Sequence, residues 1–221
     1  MNKKYVTPSL LNVEMTKREQ MAQTLINEGI EWIHYDVMDG KFVPNKAIEL
    51  DEIINIKQNS PKHFMDAHLM VENPLNYLND FKDAVDITTI HYEAVEHKKL
   101  LNFLTKKHHE YRIGLAIKPE TNVEQITDFL PFVALVLVMS VEPGAGGQKF
   151  MSLALDKIKI LKKLRSKYQY QYLIQVDGGI NNITGPQAFK AGADACVAGT
   201  FLIKNPTQQT IASIIKNKIS K

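Results

Sequence analysis

Five side chains able to hold a metal or move a proton stand near the ends of apolar runs. In Trp32-Ile33-His34-Tyr35-Asp36-Val37-Met38-Asp39-Gly40, His34 and Asp36 are two residues apart. On a strand they project from one face, while Ile33, Tyr35 and Val37 project from the other. A histidine and a carboxylate converging there suit either a metal pair or a hydrogen-bonded His–Asp pair. The run Phe64-Met65-Asp66-Ala67-His68-Leu69-Met70 repeats the pattern, with Asp66 and His68 on one face. Asp177 closes the apolar run before Gly178-Gly179, where a carboxylate either makes a turn or reaches the same centre from the far side of the fold. Two histidines and two carboxylates suit Zn²⁺ and also accept Fe²⁺, Mn²⁺ or Co²⁺.

Three glycine clusters add a second kind of chemistry. They are Gly144-Ala145-Gly146-Gly147, Gly178-Gly179 and Gly199-Thr200, each following an apolar run. Glycine lets an anion approach backbone N–H groups, and a helix starting at Thr200 would aim its N-terminus at a phosphate. One Gly-Gly pair alone reads as a turn; three clusters at corresponding strand ends favour phosphate. Other groups carry less. Lys118 before Pro119 fits a loop cap better than a Schiff-base lysine, and His108-His109 fits a charge at a helix end. His91 is a pocket-lining candidate with no evident partner. Met38, Met70 and Met139 are either core filler or a soft wall around a substrate.

To bring these groups together, strands must alternate with helices. Strand-like runs begin near Tyr5, Glu31, Lys62, Asp86, Tyr111, Phe132, Tyr172 and Asp194, a spacing that fits one strand, one helix and two loops. Leu135 to Val138 and Ala195 to Ala198 are apolar without alternation, as strands covered on both faces should be. Helices are expected from Thr16 with Glu19 as a capping box, stopping at Gly29, and from Thr121 with Glu124 as a second box. Two more are expected along Leu155, Ile158, Leu161 and Leu164, and along Ile211, Ile214, Ile215 and Ile219. The lysines from Lys157 to Lys167 are expected on a solvated helix face. Eight such units predict an α/β fold, a (β/α)8 barrel forming one domain over 1–221, with chemistry at the C-terminal strand ends. An open doubly wound sheet competes, but no GxGxxG follows the first strand.

The 221 residues, 44% hydrophobic and 23% charged, are ordinary globular composition. The formal net charge of +3 gives little support to a nucleic-acid partner. The lone Cys196 permits no internal disulfide, and its apolar neighbours predict an inert buried thiol. No secretory signal is evident, and the longest apolar stretch, broken by Pro131, is too short for a bilayer. The expectation is a cytoplasmic protein with no membrane or nucleic-acid partner; a homo-oligomer stays open.

The segments Pro8-Ser9-Leu10-Leu11, His34 through Gly40 with Phe42-Val43-Pro44-Asn45, Asp66 through Met70, Met139 through Gln148, Val176 through Gly179, and Ala191 through Thr200 follow one another in a familiar order. Across nearly the whole chain they resemble the ribulose-phosphate 3-epimerase family. The resemblance implies a (β/α)8 barrel that interconverts D-ribulose 5-phosphate and D-xylulose 5-phosphate, a small phosphorylated ketose being the partner. It implies one divalent metal, zinc first, on His34, Asp36, His68 and Asp177. It implies Asp36 and Asp177 as the acid/base pair and Ser9 and His68 as substrate contacts. Gly144, Ala145, Gly146, Gly147, Gly178, Gly179, Gly199 and Thr200 would hold the phosphate end beside Asp177. The chain departs from the family at Ala145, usually aromatic, at Glu142, usually Asn, and at Thr200, more commonly Ser. Three other readings are weighed: a hexulose 6-phosphate 3-epimerase with the same site, an aldolase using Lys118, and a non-catalytic phosphate-binding barrel.

Overall fold

The computed structural model describes residues 3–216; Ile219 of the last expected helix lies outside them. Nine strands form one sheet: β1 (Tyr5–Pro8), β2 (Trp32–Asp39), β3 (Lys46–Ala47), β4 (Phe64–Met70), β5 (Ile87–His91), β6 (Ile113–Ile117), β7 (Leu135–Met139), β8 (Leu173–Asp177) and β9 (Ala195–Ala198). Their order is β1-β9-β8-β7-β6-β5-β4-β2-β3. The two-residue β3 is antiparallel to β2 and folds the chain back over the strand end. The other eight run parallel, and the ring closes through a single parallel bridge between Ser9 and His34. This is a TIM-barrel α/β fold. Its eight parallel strands start at the expected positions or up to three residues later.

Alternation on each strand sorts side chains between two interiors. Ile33, Tyr35, Val37, Met65, Ala67 and Leu69 point outward and pack with helix residues such as Leu25, Ile53 and Leu104. Those residues belong to α1 (Arg18–Asn27), α2 (Leu50–Asn59) and, past the four-residue α3 (Leu78–Phe81), to α4 (His97–Lys107). The shell continues with α5 (Leu153–Tyr168), α6 (Thr184–Ala191), α7 (Thr200–Ile203) and α8 (Gln208–Ile215). Inside the ring, Trp32, Ile87, Leu135, Leu137 and Val197 form a separate apolar plug. Tyr5 and Phe64 meet Trp32 edge-on at 5.6 and 4.8 Å between ring centroids, a favoured aromatic geometry that seals the lower end. Above the plug the inward positions turn polar.

Several local expectations change. No Thr16–Glu19 box forms: Thr16 bonds Glu14 before α1, and Glu19 instead accepts from Asn55 and Asn59 of α2. The second box lies one residue later than expected, on Asn122 and Gln125, because Thr121 donates to Glu93. Lys157 is not on a solvated face. It is buried, and its ammonium donates to the carbonyls of Lys118, Pro119 and Thr121, which its desolvation cost requires. Gly29 ends α1 at φ +93°, as expected, and His108 caps α4 by contacting the Leu104 carbonyl. Cys196 is fully buried. No helix among the described residues is long and apolar enough to cross a membrane.

Candidate active site

Parallel register places the chemical groups of β2 and β4 side by side, pairing His34 with Asp66 and Asp36 with His68. Asp177 ends β8. β8 stands three strands from β2 around the eight-stranded ring, across β9 and β1, so Asp177 and Asp36 approach the centre from different sides. One ligand atom from each of His34, Asp36, His68 and Asp177 comes within 4.8 Å of all the others. His34 and His68 are fully buried, Asp36 is buried and Asp177 half-buried.

The hydrogen bonds fix which atoms converge. Asp66 is buried and accepts from Trp32 Nε1 at 2.5 Å through one oxygen and from His34 Nδ1 at 2.6 Å through the other. A carboxylate so engaged has only acceptor capacity, so the His34 proton sits on Nδ1. His34 Nε2 then lies 3.4 Å from Asp36 Oδ1 with no hydrogen-bond partner, a rare state for a buried polar atom. His68 Nδ1 approaches the same Asp36 oxygen at 3.3 Å, and its Nε2 is taken up by His91. An orphaned nitrogen, a second nitrogen and two carboxylates directed at one point make a donor set that fits a divalent cation.

Burial acts against a charged His34, but the carboxylates of Asp66 and Asp36 outweigh it and hold the imidazole well above its usual range. Burial would raise Asp36; His34 and His68 overcome this and hold it below the usual carboxylate range. Burial pushes Asp177 up to about 7, with the charge of Asp36 adding to the effect. Burial pushes His68 down to about 4. One carboxylate is thus ionised beside another that carries a proton near neutral pH, with the two titrations coupled.

A cavity of about 720 Å³ opens above this cluster. Ser9, Asp36, Asp177 and the three methionines Met38, Met70 and Met139 line its floor, so the methionines form a wall rather than filler. Ser9 donates to Asp36 Oδ2 at 2.5 Å. Gly144, Ala145, Gly146, Gly147, Gly178, Gly179, Gly199 and Thr200 line the outer part. Backbone approach explains two of the glycines. Gly144 has φ +106°, and a Cβ there would meet Val43 at 2.8 Å; Gly179 has φ +58°, and its Cβ would meet the Phe150 backbone nitrogen at 2.5 Å. Asn45 donates to the Gly144 carbonyl at 2.8 Å and ties the loop after β2 to the glycine loop. Asn12 donates to Thr200 at 2.8 Å. The helix at Thr200 is a single turn, so it offers the cavity no long dipole.

These groups, in this register, are those of a known set of proteins. A profile described as "Ribulose-phosphate 3 epimerase family" matches residues 5–203. The chain belongs to the ribulose-phosphate 3-epimerase family. It is 37% identical to the ribulose-phosphate 3-epimerase of Eremothecium gossypii over 99% of this chain and 94% of that one. The enzyme of that name from Treponema pallidum is 38% identical over 88% of this chain and 89% of its own. The one from Bacillus subtilis is 37% identical over 96% and 97%. Among solved structures, a 3-hexulose-6-phosphate synthase superposes with a TM-score of 0.65 at 17% identity, covering 97% of this chain and 98% of that one. That likeness is one of fold.

Some family members of the cluster were not singled out as site residues by sequence reasoning. Asp66 shares a face with His68, a signal present in the spacing, but its partner His34 follows only from register. His91 gains two partners, His68 and Glu93, neither readable from its own neighbours in the chain. Asn12 and Asn45 sit on loops, where no periodicity points to them. His34 and His68 lie beneath the cavity and do not line it, and Lys118, its ammonium 4.8 Å above the Phe42 ring, does not line it either.

Proposed function

We propose that this chain interconverts D-ribulose 5-phosphate and D-xylulose 5-phosphate by moving a proton at C3. The observation that carries the reading is the pair Asp36 and Asp177, two carboxyls that line one cavity floor and converge on one donor set. Inverting a carbon through a planar enediolate needs a proton removed from one face and returned to the other, and one carboxyl cannot serve both faces of a fixed intermediate. In the ribulose-to-xylulose direction Asp36 accepts the proton and Asp177 donates one; the roles exchange in the reverse direction. Ser9, donating to Asp36, orients that carboxylate and reaches the cavity beside it. Met38, Met70 and Met139 keep water from the reacting carbon.

His34, Asp36, His68 and Asp177 would hold one divalent ion, zinc first by donor type, with iron, manganese or cobalt acceptable. Bound there, it would supply the positive charge that stabilises negative charge developing at the substrate's C2 oxygen. The phosphate would lie against the backbone of Gly144, Ala145, Gly146, Gly147, Gly178, Gly179, Gly199 and Thr200, a reading supported by their lining the cavity at the barrel end where such folds bind phosphate. Family membership supports the reading over aldol cleavage, for which Lys118, the Schiff-base candidate, is not among the residues lining the cavity. The test is a coupled assay for xylulose 5-phosphate run beside metal analysis of the same sample. Metal-dependent turnover of ribulose 5-phosphate is expected; a metal-loaded, folded chain with none refutes the reading.

A further inference from the structure

The site has an inner face that the proposed reaction does not use. Behind His68, away from the cavity, a chain of hydrogen bonds runs outward through β5. His68 Nε2 and His91 Nε2 are 2.8 Å apart, and His91 is fully buried. His91 Nδ1 lies 3.1 Å from Glu93 Oε2. The other oxygen of Glu93 accepts from Thr121 Oγ1 at 2.5 Å and from the Lys118 backbone N–H at 2.8 Å. The loop carrying those two donors is itself fastened, because the buried ammonium of Lys157 on α5 binds the carbonyls of Lys118, Pro119 and Thr121 at 2.9, 2.7 and 2.6 Å. The Phe42 ring covers His91, with centroids 4.8 Å apart.

Proton counting gives this chain a direction. Glu93, one oxygen of which already accepts from Thr121 and the Lys118 N–H, is a carboxylate that offers His91 only an acceptor, so the His91 proton lies on Nδ1. Burial works against its charge, yet His91 and Thr121 with the Lys118 N–H hold the Glu93 carboxyl down to about 2. His91 Nε2 then presents a lone pair, and two ring nitrogens 2.8 Å apart need one proton between them. That proton belongs to His68, whose remaining nitrogen, Nδ1, is left bare and facing Asp36. We infer that His91 and Glu93 are positioning residues that lock His68 in the Nε2–H tautomer and so present Nδ1 as a metal ligand. The inference rests on the metal reading above. His34 obtains the same service directly from Asp66. The two ligand histidines are thus locked from opposite tautomers, His34 through Nδ1–H and His68 through Nε2–H, by carboxylates at one and at two hydrogen bonds' distance. Partners of this kind raise ligand basicity and fix ring orientation.

The test measures metal binding apart from turnover. Cobalt(II) titration of the metal-free protein, followed by its visible absorption, is run on wild type, His91→Ala, His91→Gln and Glu93→Gln. His91→Ala and Glu93→Gln should bind cobalt about 10- to 100-fold more weakly. His91→Gln should recover part of the loss, because its amide oxygen can accept from His68 Nε2–H. Glu93→Gln keeps the volume of the side chain, so folding is preserved where the alanine variant fails. Long-range ¹H–¹⁵N correlation on the zinc-loaded wild type needs no variant and should place the protons on His91 Nδ1 and His68 Nε2. Unchanged cobalt affinity in folded Glu93→Gln and His91→Ala, or a proton on His91 Nε2, overturns the inference while leaving the metal site standing. A wild-type protein that takes up neither metal overturns both.

Discussion

Asp66 accepts a hydrogen bond from His34 Nδ1–H at 2.6 Å and leaves the opposite ring nitrogen, which has no hydrogen-bond partner, facing Asp36. A single buried carboxylate thus sets both the tautomer and the aim of a residue on the neighbouring strand. The pairing is made by register, since Asp66 and His34 are direct partners across β2 and β4.

Replacing Asp66 by Asn should therefore weaken metal binding about 10- to 100-fold. An amide can accept from only one of Trp32 Nε1 and His34 Nδ1 through its oxygen, so one buried donor loses its bond and His34 loses its fixed tautomer. Zinc titration against a competing chelator reads the effect. Wild-type affinity in the variant would remove Asp66 from the account.

His34→Ala and His68→Ala should lower metal stoichiometry and activity together. Both rings are fully buried below the cavity and carry no separate surface role. Metal content by mass spectrometry, taken on the same samples as the rate, separates this from a substrate-binding defect. Full occupancy in both variants would exclude the assignment.

In the metal-free protein the stability contributed by Asp177 should be lost as pH rises from about 4 to about 7, against that of His68, which burial pushes down to about 4 and which is gained over the same range. Burial raises the Asp177 carboxyl to about 7 in the folded state. Its contribution is complete below its usual carboxylate range and is lost as pH passes through the folded value. His34, also raised, acts in the same direction at higher pH. Asp36, lowered, loses its contribution only in strong acid and adds no slope here. Urea unfolding of the chelator-treated protein across that range checks this: Asp177→Asn lacks the falling contribution, so its stability should rise with pH relative to wild type, and an unchanged profile would remove Asp177 from the account. Metal uptake near pH 7 should release protons, seen as a buffer-dependent heat in calorimetry.

Gly199→Asp should raise KM for the sugar phosphate at least about tenfold while metal content stays unchanged, since a tenfold loss corresponds to about 1.4 kcal/mol. The structure leaves open space where a Cβ would stand, so the variant should fold. Its carboxylate would sit in the cavity lining beside Thr200 and repel an anion. An unchanged KM would place the phosphate elsewhere.

Asp36→Asn and Asp177→Asn should separate the two proton transfers. Each acid or base is typically worth about 10²- to 10⁴-fold in rate. With metal still bound, Asp177→Asn should fail to complete epimerisation yet exchange the C3 proton of ribulose 5-phosphate with deuterated solvent through Asp36. Asp36→Asn should exchange only xylulose 5-phosphate. Wild-type epimerisation by both metal-loaded variants would refute the two-base mechanism.

Much of this protein was legible in the chain itself, because two periodicities carry it. The period of two put His34 with Asp36 and Asp66 with His68, and the recurrence of strand-like runs gave eight barrel strands within three residues of their starts. Motif order was enough to identify the family, since each glycine cluster and each acidic strand end is a local feature of sequence. Local caps were read less well. Thr121 and Lys157 look like a cap and a solvated lysine until the fold sets Glu93 and three carbonyls against them.

Tertiary structure alone decided which atom of each residue does what. Strand register chose Asp66 as the partner of His34, and the closure of the ring at Ser9 and His34 brought the first strand's hydroxyl to Asp36. The path from His68 through His91 to Glu93 crosses from β4 to β5 and on to the loop after β6. Hydrogen bonds between strands depend on register and distance, which no run of residues encodes by itself. Residue types determined that this chain could hold a cation and shuttle a proton; the barrel determined which nitrogen and which oxygen face each other when it does.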